Sequence, residues 1–359
     1  MEPYWKEFYG NPSNKQNQAG LYASAAVGVA RESIASYLGV RPERLVFTSG
    51  ATESNNLALL GHARAKALQT GSPGHLITIS SEHKAVLDPI RQLKKEGFRV
   101  TELSPDSNGM ICLDQLHDAI QADTFLISVM AANNEIGVLQ PLKEISVLCN
   151  KYKLTLHSDA SQAFGYIPIN VDKLGIDLMS ISGHKIYGPK GIGILIIKDN
   201  IPIKPLQWGG DQEQFIRPGT LPVPLIIGIS KAIEIAAEKM HIYSQKSRDL
   251  RDQLWDGLNK EIPDLLINGS LEKRLNHNIN FTVLGLNGNR MHKELRDLIV
   301  CSSGSACANG EASHVLLSIG RTNKEAESSL RLSVGRATTL QDVNRAINII
   351  SKVVKELRG

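Results

Sequence analysis

No stretch of this 359-residue chain reaches the roughly 18 consecutive apolar residues that a membrane span requires, so a membrane partner is not expected. Neither sign of charge dominates, since 40 Lys and Arg stand against 36 Asp and Glu, leaving a formal net charge of +4. The basic residues are scattered, and the cluster Arg248–Arg251 reads as a solvated helix face, so no nucleic-acid partner is expected. Cysteine is scarce: Cys112, Cys149, Cys301 and Cys307 form no Cys-x-x-Cys pair, which argues against a zinc knuckle, a disulfide framework or any other metal site. Repeats, low-complexity tracts and a secretory N-terminal segment are also missing. These absences leave a soluble, cytoplasmic globular protein as the expectation.

What is present is alternation. Leu45–Thr48, Leu76–Ser80, Thr124–Val129, Leu154–His157, Leu178–Ser182 and Gly193–Ile197 read as buried strands. Helical patterns lie between them, at Glu53–Leu68, Ala85–Lys95 and Leu142–Lys151. The pattern predicts an α/β fold with a mostly parallel sheet and helices on both faces. After Pro222 and Pro224 a long helical run extends to about Leu258. A smaller α+β region follows, with strands at Asn278–Val283, Leu298–Ser302 and Ser329–Val334 and helices at Met291–Asp297, Ser313–Ser318 and Leu340–Leu357. The expected division is an N-terminal segment 1–20, a large domain 21–235 and a small C-terminal domain 236–359.

Polar residues gather where these strands end, which in open α/β sheets is where ligands bind. Lys185 follows Ser182-Gly183-His184 and precedes a Gly-Pro-x-Gly turn. An amine held there can condense with an aldehyde; taken alone, the same pattern suits a surface lysine in a glycine turn. Thr48-Ser49-Gly50-Ala51-Thr52-Glu53 joins a strand to a helix, so the Ala51 backbone N–H and the Thr52 hydroxyl can face an anion, or simply cap the helix. Asp159, 26 positions before Lys185, and Gln162 follow a third strand, where a carboxylate can pair with a protonated ring nitrogen and the amide with a phenolic oxygen. His83 can stack on such a ring and move protons, or cap a helix. Arg331 stands inside an apolar strand and needs an anion, either a ligand carboxylate or a structural ion pair. Cys307 alone among the cysteines sits among Ser, Gly and Ala residues that form loops.

Several blocks in order then carry a resemblance. They are Phe-Thr-Ser-Gly-Ala-Thr-Glu-Ser-Asn-Asn (47–56), Glu-His-Lys-Ala-Val-Leu (82–87), Asn-Asn-Glu-Ile-Gly (133–137), Asp-Ala-Ser-Gln (159–162) and Ser-Gly-His-Lys-Ile-Tyr-Gly-Pro-Lys-Gly (182–191). Arg-Pro-Gly-Thr-Leu-Pro-Val (217–223), Ser-Ser-Gly-Ser-Ala-Cys (302–307) and Leu-Arg-Leu-Ser-Val-Gly-Arg (330–336) follow. Over nearly its whole length the chain resembles the cysteine desulfurases of iron–sulfur-cluster assembly, in the class V aminotransferase group of fold-type-I pyridoxal-phosphate enzymes.

The resemblance implies pyridoxal 5'-phosphate bound covalently through Lys185. It implies His83 stacked on the ring, Asp159 at its nitrogen and Gln162 at its oxygen. Ala51, Thr52, Ser182 and His184 would hold the phosphate, joined by Thr220 from the other subunit of a homodimer. Asn134 and Arg331 would hold the carboxylate of L-cysteine, and Cys307 would take its sulfur as a persulfide and pass it to an acceptor or scaffold protein. A selenocysteine lyase, or an inactive scaffold of the same fold, are the alternatives. The chain departs from the family where an N-terminal strand and an Ala-Thr-Thr-Pro turn are expected, where Gln16 or Asn17 replaces a histidine, and in Gly210-Asp211-Gln212-Glu213-Gln214, usually Gly-Gly-Gln-Glu-Arg. The first departure implies an apparently truncated segment and an uncovered sheet edge.

Overall fold

Strands covered on both faces are continuously apolar rather than alternating, and most strands of the large sheet are buried along their whole length. The structure, a computed structural model, describes residues 1–302 and 312–359. Its seven-stranded sheet contains β1 (Leu45–Thr48), β2 (His75–Ile79), β3 (Arg99–Leu103), β4 (Thr124–Ser128), β5 (Thr155–Asp159), β6 (Leu178–Ser182) and β7 (Gly193–Ile197) in the order β1-β7-β6-β5-β4-β2-β3. Strands β6, β5, β4, β2 and β3 run parallel, and β7 is antiparallel to both β6 and β1. The expected α/β class with a mostly parallel sheet is what forms.

Alternate residues of one strand face opposite layers. Ile77 and Ile79 of β2 enter a core with α2 (Gln18–Leu38), α7 (Leu142–Tyr152) and the first half of α9 (Val223–Glu261), while Leu76 packs with α4 (His62–Thr70) and α5 (Lys84–Lys95) on the other face. Helix α3 (Ala51–Asn56) continues through a single π turn, Leu57–Gly61, into α4. Asn17 caps α2 by accepting from the Gly20 N–H at 2.8 Å, and Gly39, left-handed at φ 68°, ends it.

Helix α9 is 39 residues long and serves two cores. Val223, Ile226, Ile229 and Ile233 belong to the first, and Leu250, Leu254 and Leu258 to the second. The second core lies between α9, α10 (Gly288–Leu295), α13 (Leu340–Arg358) and an antiparallel sheet of β8 (Leu265–Ile267), β9 (Asn278–Val283) and β10 (Ser329–Ser333), ordered β10-β9-β8. Short helices α11 (His314–Ser318) and α12 (Asn323–Glu327) precede β10.

Two expectations change, and two strands were not foreseen. Leu298–Ser302 is not a strand: Val300 is fully exposed, and Ser302 meets β10 at one bridge, with Arg331. Its β-branched residues favour extension, but among the described residues the pairing with β10 is confined to that one bridge. The edge strands β3 and β8 lack the continuous burial that marks the others, which is why the sequence did not announce them. Arg251 is not solvated. It is buried on α9, bound to Asp252 and donating to the Leu275 carbonyl, while Arg248 is exposed.

Edge strand β1 is closed by a side chain. The buried Glu213 carboxylate accepts the Phe47 N–H at 2.7 Å and pairs with Arg31 of α2. Removing one partner of a buried pair leaves the other uncompensated, at a cost of about 3–5 kcal/mol. Glu213→Ala should therefore lower the stability of the cofactor-free protein by about 3 kcal/mol or more in denaturant titration, and Glu213→Gln, which keeps an acceptor for Phe47, by clearly less. Equal stability of Glu213→Ala and wild type would show that the contact carries nothing.

Candidate active site

The ends of β1, β2, β5 and β6 open on one cavity of about 540 Å³, lined also by Arg331 of β10 and by His314. Its first wall is the turn from β1 into α3. Gly50 adopts φ 154°, ψ 178°, a conformation open to glycine, and no side chain caps the helix that follows. The first-turn N–H groups of a helix have no intrahelical acceptor, so those of Ala51 and Thr52 remain available to an anion. Gly193 of β7 lets this turn approach the sheet: a Cβ there would lie 2.6 Å from the Gly50 Cα. Ser182, at the end of β6, holds His184 Nδ1 through its hydroxyl at 2.9 Å, which brings two further polar groups to the same wall.

Asp159 ends β5, one residue inside the strand where the sequence put it just beyond, and is buried. One carboxylate oxygen accepts from Asn55 Nδ2 at 2.7 Å and the other from the Ser161 N–H at 2.9 Å, so its orientation is fixed from two sides. Beneath it, His157 lies between the hydroxyls of Ser128 at 2.8 Å and Ser180 at 3.4 Å; burial pushes this imidazole down to about 4, so it is neutral. Gln162 lines the same wall. His83 does cap a helix, accepting the Ala85 N–H at 3.0 Å at the start of α5, and its ring also lines the cavity. Burial holds His83 below the usual imidazole value, opposed by Asp159 and assisted by Lys185.

Lys185 sits in the single 3-10 turn Gly183–Ile186, which ends at left-handed Tyr187, and it lines the cavity. Its carbonyl accepts from the Tyr166 hydroxyl at 3.2 Å. Across the cavity, Arg331 donates to the Asn134 carbonyl at 2.9 Å. Burial lowers the Arg331 value, with Glu135 opposing, and among the described residues no ion pair is made with it. A half-buried guanidinium that, among the described residues, donates to one backbone carbonyl can still receive a carboxylate.

Whether these walls suit pyridoxal phosphate can be tested on their own unsatisfied groups. Among the described residues, Asn134 Oδ1 and Ser161 Oγ, both on residues that line this cavity, are buried without a hydrogen-bond partner. Buried polar atoms are rarely left so. An uncapped helix start, a fixed carboxylate and a lysine on three sides of one cavity match a phosphate, a ring nitrogen and an aldehyde. The residues fit the group.

The structure thus brings together Ala51, Thr52, His83, Asn134, Asp159, Gln162, Ser182, His184, Lys185 and Arg331. Thr220 is not among them: it is exposed and off the cavity. Cys307 lies outside the described residues. Four groups at the site were not singled out from sequence. Asn55 sits one helical turn beyond the uncapped start of α3 and orients Asp159. Glu82 is fully buried and accepts from the Met130 N–H; burial, with Asp159 nearby, pushes it well above the usual carboxylate range. Glu135, which accepts from the Ser313 hydroxyl, is likewise raised by burial. His314 completes the set. Only the helix-capping Ser313 before it gave a signal, and that signal spoke of a helix start.

Known proteins align with this arrangement. The class-V aminotransferase family matches residues 1–346. The cysteine desulfurase IscS of Histophilus somni is 44% identical over 354 residues, covering 98% of this chain and 86% of that protein. The protein of the same name from Rickettsia prowazekii is 44% identical over 362 residues, covering 100% and 87%. Among solved structures, a NifS-like protein superposes with a TM-score of 0.92 at 34% identity, over 99% of this chain and 94% of that one. The structure of SspA in complex with cysteine gives 0.82 at 38% identity, over 93% of each. With its sheet order, its cavity at the strand ends and these relatives over its length, the chain belongs to the class-V aminotransferase family, alongside the cysteine desulfurases.

Proposed function

We propose that this chain is a pyridoxal-phosphate-dependent cysteine desulfurase that converts L-cysteine to L-alanine and carries the sulfur as a persulfide on Cys307. One observation carries the reading: fixed Asp159 and Lys185, from the ends of adjacent parallel strands β5 and β6, face one cavity beside an uncapped helix start. When bound, the cofactor supplies an electron sink for the charge developing at the substrate Cα. Asp159 would hold the proton on its ring nitrogen, Gln162 its phenolic oxygen, and the Ala51 and Thr52 amides, Ser182 and His184 its phosphate. Arg331 and Asn134 would fix the substrate carboxylate, which aligns the Cα–H bond. The Lys185 amine, once displaced, is the base for that proton. Cys307 as thiolate would attack the substrate sulfur. The sulfur then passes to an acceptor protein or scaffold.

The reading includes a homodimer in which Thr220 reaches the partner's phosphate wall, which its exposed position off its own cavity suits. It includes a cytoplasmic setting, which the free thiols of Cys112, Cys149 and Cys301 suit. Among the described residues no helix is long and apolar enough to cross a membrane.

Three measurements test this. The purified protein should show a visible band near ~400 nm from the Lys185-linked cofactor; Lys185→Ala should lose it, and turnover of cysteine should fall by at least about 100-fold. Wild-type turnover in that variant would overturn the assignment. Cys307→Ser should keep the band and its response to L-cysteine yet release almost no sulfide, and a persulfide found by mass spectrometry chiefly on Cys301 or Cys149 would displace Cys307 from its role. Lys185→Ala and Thr220→Ala chains, each of low activity, should recover part of it when their subunits are allowed to exchange. An active monomer in sedimentation would end the shared-site reading.

A further inference from the structure

The short turn that carries Lys185 touches the second core as well as the sheet it extends from. It stops after four residues at left-handed Tyr187, so its later carbonyls have no following helical N–H to take them up. Tyr166, on the loop after Asp159, supplies a donor: its hydroxyl gives a hydrogen bond to the Lys185 carbonyl at 3.2 Å. Gly165 lets that loop come so close, since a Cβ there would lie 2.6 Å from Ile186 Cγ2 of the lysine turn. Burial, with the Tyr187 hydroxyl nearby, pushes the Tyr166 phenol up to about 12, so it stays a donor at neutral pH. The same ring is stacked on His277, with centroids 3.9 Å apart and planes 27° apart. His277 precedes β9 and is anchored in turn. Its carbonyl accepts the Val334 N–H at 2.9 Å, and beside it Asn276 donates to the Ser244 hydroxyl of α9 at 2.7 Å. A second contact runs alongside. The Tyr187 hydroxyl accepts the Arg336 N–H at 3.0 Å, and the Arg336 guanidinium lies over the Tyr187 ring at 4.3 Å and over Tyr243 of α9 at 4.9 Å.

We propose that Tyr166 is a positioning residue for Lys185, held in place by its stack on His277, so that the large sheet and the small one together set where the lysine amine stands. The inference rests on the desulfurase reading above. Tyr166 itself is not among the residues that line the cavity, so it acts through Lys185 and not on a ligand. On that reading the amine has two tasks: to reach the cofactor aldehyde and, once displaced, to reach the substrate proton. Both depend on the backbone of one short turn. The Tyr166 hydroxyl holds the peptide between Lys185 and Ile186, and a planar peptide passes any rotation on to the Lys185 Cα and so to its side chain. His277 contributes by limiting where the Tyr166 ring can go. The crevice on this side is packed down to a cavity of about 20 Å³ lined by Gly165, Tyr166, Tyr187 and Arg336, which leaves the rings little room to shift.

Phenylalanine separates the hydroxyl from the ring. When pyridoxal phosphate is added to cofactor-free Tyr166→Phe, the visible band should still form, but about 10-fold more slowly, within the roughly hundredfold that a misplacement of about 1 Å can cost. In the loaded full-length enzyme kcat for L-cysteine should fall by a similar factor, with KM within about twofold of wild type, because the groups proposed for the substrate carboxylate are untouched. His277→Ala should slow band formation by a smaller factor, and His277→Phe, which keeps a ring to stack on, should restore it. Denaturant titration of each cofactor-free variant gives the fraction folded, so that rates are compared per folded molecule. A purely structural role for Tyr166 would lower that fraction and leave the rates per folded molecule at the wild-type value; this result overturns the proposal, as does a His277→Phe chain no faster than His277→Ala. Both leave the desulfurase reading intact. Wild type that forms the band but releases neither sulfide nor alanine from L-cysteine ends the desulfurase reading, while the rate of band formation in Tyr166→Phe still decides the proposal. If wild type forms no band, both fail.

Discussion

A carboxylate buried at the end of β5 governs the arrangement of the site. Taking a charge out of water is costly unless hydrogen bonds replace its hydration. For Asp159 the Asn55 amide and the Ser161 N–H do so, leaving its open side toward the cavity. Asn55 belongs to the helix whose first turn forms the phosphate wall, so one hydrogen bond holds the carboxylate and that helix in register. The neighbouring groups follow. Full burial pushes His157 down to about 4, and burial beside another carboxyl raises Glu82 well above the usual carboxylate range. A concentration of titratable groups around one fixed carboxylate is what an active site with an electron-sink cofactor requires.

The substrate end is assembled from both cores, and backbone carbonyls join them. Arg331 of β10 donates to the Asn134 carbonyl, and Asn278 and Asn280 of β9 donate to the Glu135 carbonyl at 3.3 and 3.1 Å. The residues proposed for a substrate carboxylate are therefore positioned by contacts between the large sheet's loop and the small sheet, not by either alone. Helix α9 spans the two cores with opposite ends, which resists their separation.

The large sheet was legible in the sequence because burial on both faces writes continuous apolar runs, as in Leu178–Ser182 and Gly193–Ile197. Polar residues at the ends of those runs, Asp159 and Lys185 above all, were legible for the same reason: a polar group directly after a buried strand stands out. Groups that depend on tertiary approach were not. Arg251 looks like any charge on a helix until the Leu275 carbonyl is beside it. Leu298–Ser302 has strand composition, yet among the described residues it meets β10 at Ser302 alone. His314 reaches the cavity only because α11 packs on the loop that carries Glu135, a contact 178 positions apart in sequence between Ser313 and Glu135.

The loop 211–220 shows how a departure from a family pattern can leave its physical function whole. Glu213, Gln214 and Phe215 are all left-handed, at φ 48°, 57° and 64°, a conformation that non-glycine residues adopt at a cost of order 1 kcal/mol or more each. Such a run persists only where contacts over-determine it. Glu213 supplies them, its carboxylate closing the edge of β1 and pairing with Arg31, and Gln214 adds a bond to the Glu43 carbonyl at 2.8 Å. Farther along, Arg217 grips Glu53 at 2.8 Å, the same Glu53 whose other oxygen accepts the Ser49 N–H of the phosphate turn. Asp211 and Gln214 differ from the usual pattern, yet Glu213 and Arg217, which bear the load between strand edge and phosphate wall, do not. The chain has kept the two side chains that fix where the loop goes, and with it where Thr220 is presented.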